Sequence, residues 1–254
     1  MSHNLTIVTL TKDNKFEFEA TRRSIEDIVN YESKVVHMII DSSLKKSDLF
    51  LIENRNIETR YFWVSPNGIF NAMNFATTKV NTKYVLFLNS GDKMYPGFDL
   101  RKLLETLQDL KPVWLVGRAK LKKSDGTLED WKIPKPNGIK FRLAVNSFPH
   151  QATIYDASIF NGIFQFDENC EIADWKLSLN LCSTVFPSIY DRYICENDLL
   201  RASAQVGLTR WVKQVVSSRS EAQSRLIPNK FLEMVLQYLV AFFIKIRKWE
   251  MFRL

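Results

Sequence analysis

Polar side chains that could hold a cation follow two apolar runs in the first half of the chain. Asp41 comes directly after Val35–Ile40, and Asn89–Asp92 comes directly after Tyr84–Leu88. A carboxamide and a carboxylate separated by a glycine that permits a tight turn suit a hard cation, such as Mg²⁺ or Mn²⁺, that bridges phosphates. Asn, Ser, Gly and Asp are also the commonest turn formers, so a plain turn is the alternative interpretation of 89–92.

The spacing of other residues excludes several kinds of site. The chain has 8 glycines, none of them in a G-x-G or P-loop pattern, so no dinucleotide fingerprint or Walker loop is present. The histidines, His3, His37 and His150, are too far apart for H-E-x-x-H or a His-rich metal cage. Asp174 begins a predicted helix, where an aspartate that serves only as an N-cap is an interpretation that needs no chemistry.

The elements that must position these residues alternate between strand and helix in the first half. Strands are predicted at Leu5–Leu10, Val35–Ile40, Tyr61–Val64 and Tyr84–Leu88, and helices at Glu19–Tyr31, Asp48–Glu53, Ile69–Thr78 and Phe98–Leu110. This alternation predicts an α/β fold with a mostly parallel sheet covered on both faces. Ligands of such sheets bind in the loops after the strands.

The second half has a less regular pattern. Strands are predicted at Val113–Ala119, Thr127–Ile133 and Gln151–Tyr155, and a helix at Asp174–Leu181. The 3 cysteines lack C-x-x-C spacing, which favours a reducing compartment. The first residues do not read as a signal peptide, so we expect a cytoplasmic protein.

Charge is concentrated at the C-terminal end. The chain has 254 residues and a net charge of +7, and residues 201–254 carry all of this excess. From Phe231 to Trp249 a wide apolar and aromatic stripe follows helical spacing, with a basic cluster near its end. Residues 229–254 therefore fit an amphipathic helix on an anionic membrane surface, and packing on its own domain or on a second subunit is the alternative. Nucleic-acid binding is disfavoured because these basic residues share a helix with an apolar stripe.

Several motifs resemble one enzyme family. Gly68–Asn74 and Tyr84–Asp92 resemble the G-I-Y-D-A-M-N and F-L-N-S-G-D signature of family 2 glycosyltransferases, in the branch involved in colanic acid and other bacterial surface polysaccharides. Ile39–Asp41 resembles the family's I-V-x-D-G-G-S loop, His150–Thr153 its H-Q-x-x-F/Y element, and Ile172–Leu177 its S-x-D-Y-x-L element.

The resemblance implies a GT-A fold, which is an α/β/α sandwich. It divides residues 1–220 into a nucleotide-sugar half (1–112) and an acceptor half (113–220), followed by the basic helical tail (221–254). By analogy, the donor would be bound by Thr9, Thr11, Asp41, Asn71, Asn74 and Asn89, a Mg²⁺ or Mn²⁺ ion by Asp92 and His150, and the acceptor proton would be taken by Asp174 as catalytic base.

The chain departs from the family pattern at metal- and donor-site positions. Ser42 and Ser43 stand where the family has two glycines, Asn71 stands where it has Asp, and Gly91 stands where relatives outside this branch have a second Asp. Fewer carboxylates should weaken cation binding.

The resemblance thus implies an inverting glycosyltransferase. It would transfer a sugar from a nucleotide-sugar donor, with a UDP-sugar favoured, to a lipid-linked glycan at the inner face of the cytoplasmic membrane. The alternative from another class is a non-catalytic transferase-like protein that binds a nucleotide or glycan, or acts as a scaffold, at the membrane surface. A homodimer through the tail also stays open.

Overall fold

In the part of the chain that the structure describes, one sheet of nine strands forms the frame of the fold. The computed structural model describes residues 4–29, 35–46, 57–123, 125–131, 133, 147–198 and 214. The strands are β1 (Leu5–Thr11), β2 (Val35–Asp41), β3 (Glu58–Trp63), β4 (Tyr84–Phe87), β5 (Lys93–Met94), β6 (Trp114–Lys122), β7 (Leu128–Trp131), β8 (Thr153–Asp156) and β9 (Ser188–Asp198). Their order in the sheet is β3-β2-β1-β4-β8-β6-β9-β5, and β7 pairs with β6.

The sheet changes character at β4. Strands β3, β2, β1 and β4 are parallel to one another, as the apolar runs of the first half predict. Beyond β4 the sheet is mixed, because β8 runs antiparallel to both β4 and β6 whereas β9 runs parallel to β6. The carboxyl ends of the four parallel strands therefore meet at one edge, and this edge carries the predicted ligand loops.

Within the described residues, four α-helices cover the two faces of the sheet: α1 (Lys15–Glu26), α2 (Ile69–Lys79), α3 (Leu100–Leu110) and α4 (Ala173–Cys182). The buried residues of α2 and α4 share one core with Val8 and Met38, whereas those of α3, together with Ile25 of α1, share a second core with Ile7 and Leu86. Alternate strand residues thus face opposite helical layers, which confirms the predicted α/β/α fold.

Element boundaries differ from the predicted ones where capping decides them. Helix α1 begins at Lys15 rather than Glu19, because the Asn14 side chain accepts the Glu17 N–H at 3.1 Å and caps the helix there. Strand β9 had no prediction. The predicted helix at Asp48–Glu53 and the tail at 221–254 lie outside the described residues. Within the described ranges, no helix is both long and apolar enough to cross a bilayer.

Candidate active site at the carboxyl ends of the parallel strands

Asp41 ends β2, and both of its carboxylate oxygens accept hydrogen bonds. Its Oδ1 accepts the Ser43 N–H at 2.9 Å, and its Oδ2 accepts the Tyr61 hydroxyl at 2.7 Å. Asp41 is paired in register with Thr11 at the end of β1, and both side chains are buried. The structure therefore brings together two of the predicted donor-binding residues, and it adds Tyr61, which the sequence did not single out.

The loops after β1 and β2 are fastened to each other. The Asp13 N–H donates to Ser43 Oγ at 2.8 Å, and Asp13 Oδ1 accepts the Leu44 N–H at 3.1 Å. On the third strand, the Trp63 indole N–H donates to the Ser43 carbonyl at 3.1 Å. Ser43 stands where the resemblance would place a glycine, and its hydroxyl accepts one of the hydrogen bonds that join the two loops.

Thr9 lies two residues before the end of β1 and contacts a buried histidine. Its Oγ1 is 3.0 Å from His37 Nε2, and both residues are inaccessible to solvent. Burial lowers the pKa of His37 to about 3, and the positive charge of Arg22 acts in the same direction. His37 is therefore neutral at physiological pH. The predicted contact of Thr9 with the donor stays a prediction.

The Asn89–Asp92 loop is held by helix α1. Thr21 accepts the Gly91 N–H at 2.7 Å and donates its hydroxyl proton to the Asp92 carbonyl at 2.7 Å. One turn later, Ser24 Oγ accepts the Met94 N–H at 3.0 Å. Sequence reasoning missed both hydroxyls, because a Thr and a Ser on a helix become identifiable as loop anchors only once the packing of the helix is known.

Removal of the Thr21 hydroxyl should loosen this loop. We expect Thr21→Val to lower the free energy of unfolding by about 1–3 kcal/mol, because a buried N–H and a buried carbonyl lose their partner while the side-chain shape is kept. Thr21→Ser keeps the hydroxyl and should cost about 1 kcal/mol for the lost methyl group. Urea unfolding measures both. A valine variant as stable as the wild type would show that the hydroxyl does not hold the loop.

Asn89 and Asp92 carry the side-chain oxygens of this loop that were predicted to lie near the cation and the donor. Asn89 Oδ1 is buried and has no hydrogen-bond partner among the described residues. Asp92 is 2% exposed, and its charge adds to the effect of burial in raising the pKa of the Cys195 thiol. The described ranges contain no group of three His, Cys, Asp or Glu side chains that could hold a metal ion. Some cations take only one or two protein ligands, and substrate phosphates and water supply the rest. Such a cation fits the buried Asn89 Oδ1, to which no described residue donates a hydrogen bond.

His150 lies beside the end of β4 in an aromatic cage. Its ring is stacked on Phe87 at 5.5 Å between centroids, and the Phe166 ring meets it edge-on at 5.6 Å. Nδ1 is 3.3 Å from the Tyr155 hydroxyl, while Nε2 is buried without a hydrogen-bond partner among the described residues. Burial lowers the pKa of His150, so the imidazole is neutral and Nε2 is the atom left for a ligand.

The charge of Asp174, which lies on a different segment, acts on this histidine. The Asp174 charge opposes the lowering of the His150 pKa and adds to the raising of the Tyr155 pKa by burial. Asp174 is partly exposed in the first turn of α4, whose N-cap is Ile172. The interpretation of Asp174 as an N-cap is therefore wrong, and its carboxylate lies within electrostatic range of His150 and Tyr155.

Asn71 and Asn74 of α2, both predicted to bind the donor, contact the segment that leads to α4. The Asn71 amide donates to Glu168 Oε2 at 2.9 Å. Asn74 accepts the Phe166 N–H and donates to the Phe166 carbonyl, each at 2.9 Å. Their predicted role in donor binding stays a prediction, and their described contacts lie within the protein.

Solved structures share this fold at low sequence identity. Staphylococcus aureus TarS 1–349 in complex with UDP-GlcNAc aligns with a TM-score of 0.66 at 12% identity, covering 92% of this chain and 70% of that one. Its complex with UDP gives 0.64 at 12% identity, with 92% and 69% covered. The mannosyltransferase PcManGT from Pyrobaculum calidifontis, in complex with GDP-Man and Mn²⁺, gives 0.59 at 13% identity, with 87% and 64% covered.

These likenesses show a GT-A-like fold, as the resemblance implied. The chain spans about two thirds of the length of these three structures and 39% of a longer TarS structure. The sequence matches no protein-family model and no curated protein.

Proposed function

We propose that this chain is an inverting family 2 glycosyltransferase that transfers a sugar from a nucleotide-sugar donor, preferably UDP-linked, to a lipid-linked glycan in bacterial surface polysaccharide synthesis. The observation that carries the proposal is the electrostatic interaction of Asp174 with His150, whose ring stacks on Phe87 at the end of β4. In this proposal, a carboxylate from one segment acts together with a neutral imidazole from another, whose Nε2 has no hydrogen-bond partner among the described residues. Structures with this fold bind UDP, UDP-GlcNAc and GDP-Man.

The proposed reaction assigns a role to each part of the site. Asp174 takes the proton of the acceptor hydroxyl, whose oxygen bonds to the anomeric carbon while the bond from that carbon to the diphosphate breaks. Attack from the side opposite the leaving group inverts the anomeric configuration. Thr11 and Asp41, at the ends of β1 and β2, face the nucleoside in this proposal, and Asn89 lies near the diphosphate.

A divalent cation would be held by Asn89 and Asp92, with His150 Nε2 as a further ligand. When bound, it would supply positive charge to the departing nucleoside diphosphate. The protein's own contribution is a rigid loop, since Thr21 and Ser24 fix the backbone from Asn89 to Met94.

Substitution of Asp92 tests this arrangement. We expect Asp92→Ala to weaken the binding of both Mn²⁺ and UDP, because phosphate affinity depends on the bridging charge. Isothermal titration with UDP, with the cation and with excess EDTA, measures the effect. Equal UDP affinity in wild type and variant, with and without EDTA, would remove Asp92 from the cation site.

Thermal unfolding with a panel of nucleotide sugars tests donor binding. A ligand that binds the folded protein raises its melting temperature by mass action. We expect one UDP-sugar to raise the melting temperature more than its GDP-linked and free-sugar counterparts. An unchanged melting temperature with every member of the panel, at millimolar concentrations and with Mn²⁺ present, would contradict the proposed function.

The lipid-linked acceptor places the enzyme at a membrane surface, where residues 229–254 would attach it to the cytoplasmic face. We expect deletion of these residues to release the protein from anionic vesicles while nucleotide binding is kept. Each Lys or Arg near the surface adds about 1 kcal/mol of attraction, so binding should weaken with salt. Sedimentation with vesicles measures this. A full-length protein that stays in solution at low salt, or a tail that pairs two subunits, would count against membrane attachment.

A further inference from the structure

The side chain of Asn74 pairs with the backbone of a residue far along the chain. Asn74 Oδ1 accepts the Phe166 N–H at 2.9 Å, and its Nδ2 donates to the Phe166 carbonyl at 2.9 Å and to Glu168 Oε1 at 3.0 Å. Residues 164–172 contain no helix or strand. The Asn74 amide thus satisfies both backbone groups of Phe166, as a neighbouring strand would do in a sheet.

Phe166 in turn forms one wall of the His150 cage. Its side chain is 2% exposed, and its ring lies edge-on to His150 and to Phe87, at 5.6 Å between centroids in each pair. The Phe70 ring stacks on it at 5.8 Å. Since packed aromatic rings have little free space, a displaced Phe166 backbone would move the imidazole of His150.

The same segment also fixes the start of α4. Lys176, in the first turns of that helix, donates to Asp167 Oδ2 at 2.8 Å, and the Lys176 N–H bonds to the Ile172 carbonyl at 3.0 Å. The backbone that Asn74 holds at Phe166 is therefore tied to the helix that carries Asp174. The two groups of the candidate site are thus both connected to this one segment, His150 through its ring contact with Phe166 and Asp174 through helix α4.

We propose that Asn74 is a positioning residue, which sets the geometry of His150 and Asp174 from helix α2. It does so through the two hydrogen bonds between its side-chain amide and the backbone of Phe166, here called the Asn74 clamp. The inference rests on the proposed function for its kinetic consequence, but its structural part stands without it. It gives Asn74 a role other than donor contact, because both ends of the amide are used within the protein. Asn74 links the helix after β3, in the nucleotide-sugar half, to the segment that carries the acceptor-side groups.

Three variants separate the clamp from its surroundings. Asn74→Ala removes all three hydrogen bonds. Glu168→Ala is the matched control, because it removes only the third bond and the bond of Asn71 at the exposed end and leaves Phe166 held. Asn74→Asp in the Glu168→Ala background keeps an acceptor for the Phe166 N–H without placing two carboxylates together, and it serves if Asn74→Ala does not fold.

The imidazole resonances of His150 are the direct readout, because the Phe87 and Phe166 rings shift them. We expect the ring protons of His150, assigned with a His150→Gln sample, to move in Asn74→Ala and in the Asn74→Asp double variant, and to stay in place in Glu168→Ala. His37 is an internal reference that should not move. Unchanged His150 resonances in both clamp variants would overturn the inference, whether or not the protein transfers a sugar.

Kinetics supply the second readout. We expect turnover to fall by about 10- to 100-fold in Asn74→Ala, which is the scale of a misplaced reactive group, while the Kd for UDP is unchanged. Glu168→Ala should retain wild-type turnover. A clamp variant that is less stable yet turns over at the wild-type rate per folded molecule would show that Asn74 is merely structural. If the wild type transferred no sugar from any donor, the proposed function would be contradicted. The His150 resonances alone would then test whether Asn74 positions His150.

Discussion

Asp174→Asn is expected to lower sugar transfer about 10²-fold or more while leaving nucleotide affinity and the fold intact. Asparagine has nearly the same shape as aspartate but cannot take the acceptor proton. The side chain is not the cap of α4, so helix stability does not depend on a cap bond from it. A loss of turnover without a loss of stability would therefore report on chemistry rather than on folding.

The control for this variant is another carboxylate of the same chain. Asp191 on β9 has a side chain that is 83% exposed and pairs with Arg118 at 3.3 Å. Asp191→Asn changes the net charge by the same amount as Asp174→Asn, and we expect it to retain wild-type turnover. Similar turnover in both variants would exclude Asp174 as the general base.

Acid should unfold the protein through its buried histidines. His37 titrates near pH 6.5 in an unfolded chain, whereas burial lowers its pKa to about 3 in the folded protein. Between these two values the unfolded state binds more protons, so the free energy of unfolding falls as the pH falls. The loss is at most about 5 kcal/mol by pH 3, and the lowered pKa of His150 acts in the same direction.

Urea unfolding at a series of pH values from 7 to 4 measures this dependence. His37→Gln removes the titrating ring and keeps an amide that can bond to Thr9. We expect the variant to be less stable at pH 7 but to lose less stability on acidification than the wild type. Parallel stability curves for the two proteins would show that His37 does not cause the acid sensitivity.

The first half of the fold was predictable because its strands are continuous apolar runs. Apolar runs of this kind indicate buried parallel strands, and examples are Val35–Ile40 and Tyr84–Leu88. The ends of these strands indicate where the loops of the candidate site lie. The start of α1 was predictable in principle, since Asn14 is followed three residues later by Glu17, which is a recognisable N-terminal signal.

Strand β9 could not be predicted in the same way. Its sequence contains several charged residues, and its pairing with β6 shifts register on either side of Arg118, so the strand lacks a steady alternation. Gly117 leaves room for the side chain of Ile194 on β9, because a Cβ at position 117 would lie 2.3 Å from the Cδ1 of Ile194. Such a fit between two distant segments leaves no local signal in either of them.

The sequence nominated residues for the candidate site but could not indicate their contacts. The family resemblance pointed to His150 and Asp174, and the negative charge of Asp174 opposes the lowering of the His150 pKa by burial. The supporting residues, among them Thr21 and Tyr61, have side chains that are common on helices and strands. Each of them contacts a partner more than 15 residues away along the chain. A single sequence does not indicate which distant residues come into contact in the fold.

The central claim is that the Asn89–Asp92 loop, His150 and Asp174 form one glycosyl-transfer site. It is tested most directly by measuring nucleoside diphosphate release from UDP- and GDP-sugars by the full chain, with Mg²⁺ or Mn²⁺, beside Asp174→Asn. We predict that one donor yields nucleoside diphosphate with the wild type and that the variant binds this donor but releases about 10²-fold less. A wild type that binds a nucleotide sugar tightly and releases nothing from it, with either cation and with lipid-linked glycan present, would contradict the account and indicate a binding protein.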